Sequence, residues 1–208
     1  MTDPTSLAVH DVLARNREAQ TRFLAELVKV PSDNPPGDCQ RHADRAAELR
    51  EGLGCEAERH AVPADVLKAN GMVSASNLTV REHFGPGPTI ALNAHGDVVP
   101  PGLGWSMDPF GAVIEDGLMH GRGVAVSKSD VATFAHAPIA PITLKASGAK
   151  LNGTAELHHT FDEAAGGLIG PGCLPERRLS KPDHAICAGF AHGVTTAHSG
   201  CPRTTSAG

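Results

Sequence analysis

The apolar positions change period along the chain, and those changes mark its elements. From Ser6 to Val28, residues Leu7, Val9, Val12, Leu13, Phe23, Leu24, Leu27 and Val28 recur at helical spacing, and Pro31 closes the stretch. Pro35-Pro36-Gly37 predicts a turn. Asp38 is then the expected N-cap of a second helix running to about Leu53, with Gly52 and Gly54 as stop signals. Cys55 to Val62, Asn77 to Arg81 and Thr89 to Asn93 read as strands, the last two separated by Gly85-Pro-Gly-Pro. Ala112 to Ile114 and Leu118 to His120 flank Glu115-Asp116-Gly117, a hairpin signal. A helix over Ser129 to Ala137 is expected to stop there, because Pro138 and Pro141 would each cost about 3 kcal/mol in a helix interior. Gly153 to Phe161, Asp183 to Ala188 and Val194 to Ala197 complete the strands. Helices alternating with strands predict an α/β fold whose sheet is mixed and partly parallel.

Composition narrows the function classes. Among 208 residues, 18 basic against 23 acidic side chains give a net charge of −5, which argues against a nucleic-acid footprint. Aromatic residues are 3%, with no Tyr and one Trp, so stacking platforms for single strands are missing too. No run approaches the ~20 apolar residues of a membrane span, and Met1 to Ser6 carries no basic segment leading into an apolar one, so no secretory leader is expected. The five cysteines are odd in number and form no Cys-x-x-Cys pair, which fits free thiols in a reducing cytoplasm. Twelve histidines raise the question of a metal.

The chemistry concentrates in three segments. Leu92-Asn-Ala-His95-Gly-Asp97-Val-Val-Pro-Pro is an apolar strand ending in His-Gly-Asp, at the edge where open α/β sheets place ligands. In extended backbone His95 and Asp97 point the same way, so Asp97 can hold a metal-ligating imidazole from behind. Trp105-Ser-Met-Asp-Pro-Phe110 precedes the hairpin and His120-Gly-Arg-Gly123. Thr160-Phe-Asp162-Glu163-Ala-Ala-Gly-Gly ends another strand with adjacent carboxylates, suited to a general base beside a cation. His158 and His159 are strand neighbours facing opposite sides, so at most one reaches such a site. His42, His60, His83, His136, His184 and His192 lack ligand-like spacing and read as surface residues.

Taken in order, L-N-A-H-G-D-V-V-P, W-x-x-D-P-F, D-G-L-M-H-G-R-G and T-F-D-E-x-x-G-G resemble the di-zinc aminoacylase and carboxypeptidase family, which includes acetylornithine deacetylase and succinyl-diaminopimelate desuccinylase. The opening from Phe23 to Gly37 is similar to that family's N-terminal helix and turn, and the resemblance runs from about residue 20 to 201. It implies a zinc-aminopeptidase-like three-layer α/β sandwich interrupted by a smaller lid or dimerisation domain. Residues 1–193 would be the N-terminal part of the catalytic domain, and 194–208 the start of the passage toward the lid. It also implies Zn²⁺, two per site with Co²⁺ as a possible substitute, a small N-acyl amino acid or peptide substrate, and a homodimer as the family's assembly. His95 matches the first metal ligand, Asp97 its supporting acid and Glu163 the general base.

Three expected ligands are missing. The bridging Asp, three residues after Gly-Arg-Gly, falls at Val126; Asp130, one helical turn later, is the candidate replacement, or else a first-turn residue favoured by the helix dipole. The family's second Glu falls at Ala164, and a later Glu at Gly189, for which His198 is the candidate substitute. The family also runs to about twice this length. Two readings follow: a metal-dependent hydrolase of N-acyl amino acids or C-terminal peptide bonds, or a catalytically inactive fragment of one. A dinucleotide-binding module is disfavoured, because no G-x-G-x-x-G follows a strand.

Overall fold

The computed structural model of the chain describes residues 4–188 and 196–198. Its elements are α1 (Pro4–Val28), α2 (Gln40–Glu51), β1 (Glu58–Ala61), α3 (Ala64–Ala69), β2 (Ser76–Gly85), β3 (Thr89–His95), β4 (Val113–Glu115), β5 (Leu118–His120), α4 (Lys128–His136), α5 (Ile139–Ala146), β6 (Gly153–Thr160), the one-turn α6 (Cys173–Glu176), β7 (His184–Cys187) and β8 (Thr196–His198). Six strands form one sheet in the order β1-β2-β6-β3-β7-β8. β6, β3 and β7 run parallel, and β1, β2 and β8 pair antiparallel, so the sheet is mixed and partly parallel as expected. β4 and β5 form a separate hairpin.

One face of the sheet is apolar. Leu78 and Val80 of β2, Ala94 of β3 and Leu157 of β6 pack against Phe23 and Leu27 of α1, Ala46 and Ala47 of α2, and Val131, Ala132 and Ala135 of α4. Burial of this stripe, at about 25 cal/mol per Å² of apolar surface, is what holds the helices on the sheet. A second cluster joins Cys39, Ala43, Leu67, Met72, Phe161 and Ile169 at the end of the sheet where β6 finishes. The opposite face is polar: Glu156 and His158 of β6 bond each other, and Glu156 also takes Arg81 and the Ser180 hydroxyl.

The structure corrects the sequence reading at several points. The helix over Ser129 to Ala137 does stop before Pro138, since α4 ends at His136, but a further helix that the sequence reading lacked, α5, follows at once. Pro138 is the N-cap of α5 and Pro141 sits in its first turn, where a backbone N–H has no intrahelical partner to lose. The N-cap of α2 is Cys39; the Asp38 carboxylate instead accepts the Ser74 hydroxyl. The short helix α3 follows Pro63, a stretch that carried no strong periodic signal. His42 and His136 are not surface residues but fully or almost fully buried. Among the described residues no helix is long and apolar enough to cross a membrane, and Cys39, Cys55, Cys173 and Cys187 form no disulfide.

Candidate active site

Two parallel strands build the site. The register pairs Ala94 with His159 and His95 with Thr160, so β3 and β6 end at the same edge of the sheet. The Gly96 N–H donates to the Thr160 carbonyl at 2.8 Å, carrying the pairing one residue past β3. His95-Gly96-Asp97 and Asp162-Glu163 therefore emerge side by side although 66 residues separate Asp97 from Glu163. Gly96 is required there: a Cβ on it would come within 2.2 Å of His159 Nε2 and 2.8 Å of Phe161 Cε1.

Asp97 is fully buried and is the hub of the site. Its carboxylate accepts the Asn34 amide at 3.1 Å and the backbone N–H groups of Glu163 and Ala164 at 3.3 and 3.2 Å. His95 Nδ1 lies 3.0 Å from the Asp97 backbone carbonyl and 3.4 Å from its carboxylate. The imidazole is thus oriented by both groups of Asp97, the carbonyl at the shorter distance. Burial opposes the Asp97 charge, but the hydrogen bonds from His95 and Asn34 outweigh it and hold the carboxyl below its ordinary value. Burial likewise opposes charging of His95; the Asp97 hydrogen bond and the charges of Asp97 and Glu163 raise its pKa instead.

With Nδ1 fixed, Nε2 of His95 faces Glu163. It is buried with no hydrogen-bond partner, and Glu163 Oε2 stands 3.5 Å away. Glu163 begins a single 3₁₀ turn, Glu163–Ala165, after Asp162, which adopts a left-handed conformation (φ 84°) and accepts the Ile169 N–H at 2.7 Å. Asp130 lies in the first turn of α4. Burial raises its pKa, against the opposing influence of the nearby Ser127 and His95. Ser127 in turn lies 3.4 Å from the His95 N–H.

The structure therefore brings His95, Asp97 and Glu163 together, while Asp130 stays in the first turn of α4 and forms no hydrogen bond or ion pair with them. His198 is placed elsewhere. β8 pairs it with His184, which pairs in turn with Ile90 near the start of β3, the edge opposite His95. Its side chain, like Gly189, lies outside the described residues. His158 and His159 both stay out of the cleft, the former bonded to Glu156 and the latter stacked on Phe161. Asn34, Ser32 and Ser127 were missed in the sequence. Ser32 donates to the Gly96 carbonyl at 2.6 Å and Asn34 to Asp97, so the Pro31–Gly37 turn pins the strand end. The turn itself was legible; its partners were not, because only the folded chain sets them.

The model of peptidase family M20/M25/M40 matches residues 91–194, half of the chain. The chain belongs to this family. M20 relatives by sequence include succinyl-diaminopimelate desuccinylase of Acidiphilium cryptum, 44% identical over 46% of this chain and 24% of that protein, and that of Methylobacterium radiotolerans, 31% identical over 81% and 42%. The chain thus spans well under half the length of these curated relatives. Similar solved M20 folds are human carnosine dipeptidase 1 (TM-score 0.69, 20% identity, 90% of this chain and 41% of that one) and the Sulfolobus solfataricus metallo-carboxypeptidase Sso-CP2 (TM-score 0.66, 22% identity, 83% and 37%). Nothing in these comparisons favours a non-catalytic fragment over a hydrolase.

M20 membership implies a divalent metal, for which the described residues bring His95 and Glu163 together but no complete set of ligands. The orphaned His95 Nε2, buried opposite Glu163, is a donor waiting for an acceptor of lone pairs. Val126 and Ala164 offer no donor, and among the described residues no group of three His, Cys, Asp or Glu is arranged to hold a metal.

Proposed function

We propose that the chain is the N-terminal part of the catalytic domain of a metal-dependent amidohydrolase acting on N-acyl amino acids or small peptides. In this proposal residues 1–193 belong to that domain and 194–208 lead toward a lid. One observation carries it: parallel strands β3 and β6 deliver an Asp97-held imidazole and a half-exposed Glu163 carboxylate to one edge, 3.5 Å apart. The relatives' name, succinyl-diaminopimelate desuccinylase, supports an acylated amino acid as substrate.

The roles follow from the geometry. His95 presents Nε2 to a divalent ion, zinc in this proposal, because Nδ1 is committed to Asp97. The chemistry such an ion supplies when bound is a water of lowered pKa and a polarised amide carbonyl. Asp97 stays ionised, since its carboxylate is occupied by donors, and so it orients rather than takes the proton. Glu163 is the carboxylate exposed enough to accept a proton from water and return it to the leaving amine.

The test is hydrolysis of N-succinyl and N-acetyl amino acids and of dipeptides by the purified chain, with ZnCl₂ or CoCl₂ and after chelation. Turnover that requires the ion and falls about 10²-fold or more in Glu163→Gln is expected. Turnover indifferent to chelation or to that substitution would refute the assignment, as would no hydrolysis of any of these substrates.

A further inference from the structure

The chain that follows β6, from Glu163 to Lys181, lies along the polar face of the sheet, with Glu163 at its start. Buried carboxylates pin it at both ends. Asp97 accepts the backbone N–H groups of Glu163 and Ala164 at 3.3 and 3.2 Å, and Glu156 of β6 accepts the Ser180 hydroxyl. Arg81 of β2 closes the second pin: its Nε donates to Glu156 at 2.9 Å and its Nη2 to the Leu179 carbonyl. Between the pins, Asn77 donates to the Ile169 and Gly170 carbonyls at 3.2 and 3.3 Å. Burial opposes the charge on Glu156, but the bonds from His158, Ser180 and Arg81 outweigh it and hold the carboxyl down at about 2.

Backbone bonds join the two ends into one unit. The Gly167 N–H donates to the Asp162 carbonyl, the Gly172 N–H to Gly167, the Glu176 N–H to Gly172 and the Leu179 N–H to Leu174. Among the described residues none of this segment belongs to the apolar cluster beneath α1, α2 and α4; Ile169 belongs to the smaller second cluster. Detaching the segment therefore leaves the helix-covered core intact, the condition for a local opening. We infer that residues 163–181 form a strap that Glu156 latches to the sheet, and that its release lifts Glu163 away from His95 while the core stays folded. That this motion switches the site off rests on the proposed role of Glu163; the latch itself does not.

Hydrogen–deuterium exchange of the purified chain, read by mass spectrometry without substrate or metal, decides it. In Glu156→Gln the amides of Glu163, Ala164 and residues 172–180 are expected to exchange about tenfold or more faster, because the charge-assisted bonds of the latch are lost, while those of α1 and α4 keep their rates. Ser180→Ala removes one hydroxyl and leaves the carboxylate paired with Arg81. It is expected to speed the same amides, and it supplies the readout should Glu156→Gln fail to fold. Rates equal to the parent's in the folded variants, an acceleration shared equally by α1 and α4, or one confined to 172–180 would overturn the inference. Its failure is separable from that of the functional reading. A strap freed by these substitutions in a chain that hydrolyses no amide sinks the function alone; hydrolysis by a chain whose strap is indifferent to Glu156 and Ser180 sinks the inference alone.

Discussion

Arg50 is a charge on the apolar face of a helix, and removing it is expected to stabilise the protein. In α2 the buried positions are His42, Ala43, Ala46, Ala47 and Arg50, so the guanidinium lies on the stripe that faces the core. It is 2% exposed, and its Nε and Nη1 have no hydrogen-bond partner. Among the described residues no carboxylate forms a salt bridge with it. Burial pulls its pKa well down from the ordinary guanidinium value, to about 10, with only Cys55 opposing. At about 1.4 kcal/mol per factor of ten, that displacement costs the fold about 3 kcal/mol. The folded-state value lies below the unfolded one, so the penalty is complete below pH 10 and is relieved only as the pH rises above it. Arg50→Met keeps an unbranched stem of similar reach and discards the charge. A gain of about 2 kcal/mol is expected after some loss of packing, or roughly 4–8 °C in Tm for a chain of this size. Urea unfolding of both proteins between pH 7 and 9 measures it, with the slope m unchanged and the gain constant over that range. Equal or lower stability for Arg50→Met would show that the guanidinium is satisfied in the fold and that the reasoning is wrong.

Other consequences are as specific. His42 and His159 are fully buried, edge to face at 5.4 Å, with no hydrogen bond to any ring nitrogen, and burial holds both pKa values well below 6.5. They are neutral in the fold and protonate near pH 6.5 when unfolded, so stability falls as pH drops below 6.5. His159→Leu is expected to flatten that dependence in urea titrations at pH 5 to 7; an unchanged slope counts against it. Gly96→Ala forces a methyl onto His159 and Phe161 and is expected to cost about 3 kcal/mol, together with loss of Zn²⁺ binding as the His95–Asp97 turn shifts; a variant with native stability would mean the contact yields easily. Asp97→Ala leaves Asn34 and two backbone N–H groups without an acceptor, at about 3 kcal/mol by chemical denaturation. The folded Asp97 pKa is depressed, so its contribution is present above pH 3.8 and lost below, and the cost of Asp97→Ala should shrink in acid.

Much of the site was legible because it follows from strand geometry. A strand ending in His95-Gly96-Asp97 and another ending in Asp162-Glu163 need only pair in parallel to meet, and alternating helices and strands already implied parallel pairing. What the sequence hid is of two kinds. Polar loop residues such as Asn34 and Ser127 acquire their roles from partners distant in the chain. Buried polar residues such as His42 and Arg50 sit at core-facing positions of α2, where a polar side chain by itself argues for solvent. The proline helix α5 belongs to the same lesson: position within the first turn, not the presence of proline, decides its cost.

The most direct test is a crystal structure of the chain grown with ZnCl₂, with anomalous data collected at the zinc edge. An anomalous peak about 2.0–2.1 Å from His95 Nε2, with Nδ1 still on Asp97, is the expected result. A peak that avoids His95, or none at the β3–β6 edge in crystals soaked to saturation, would contradict the account.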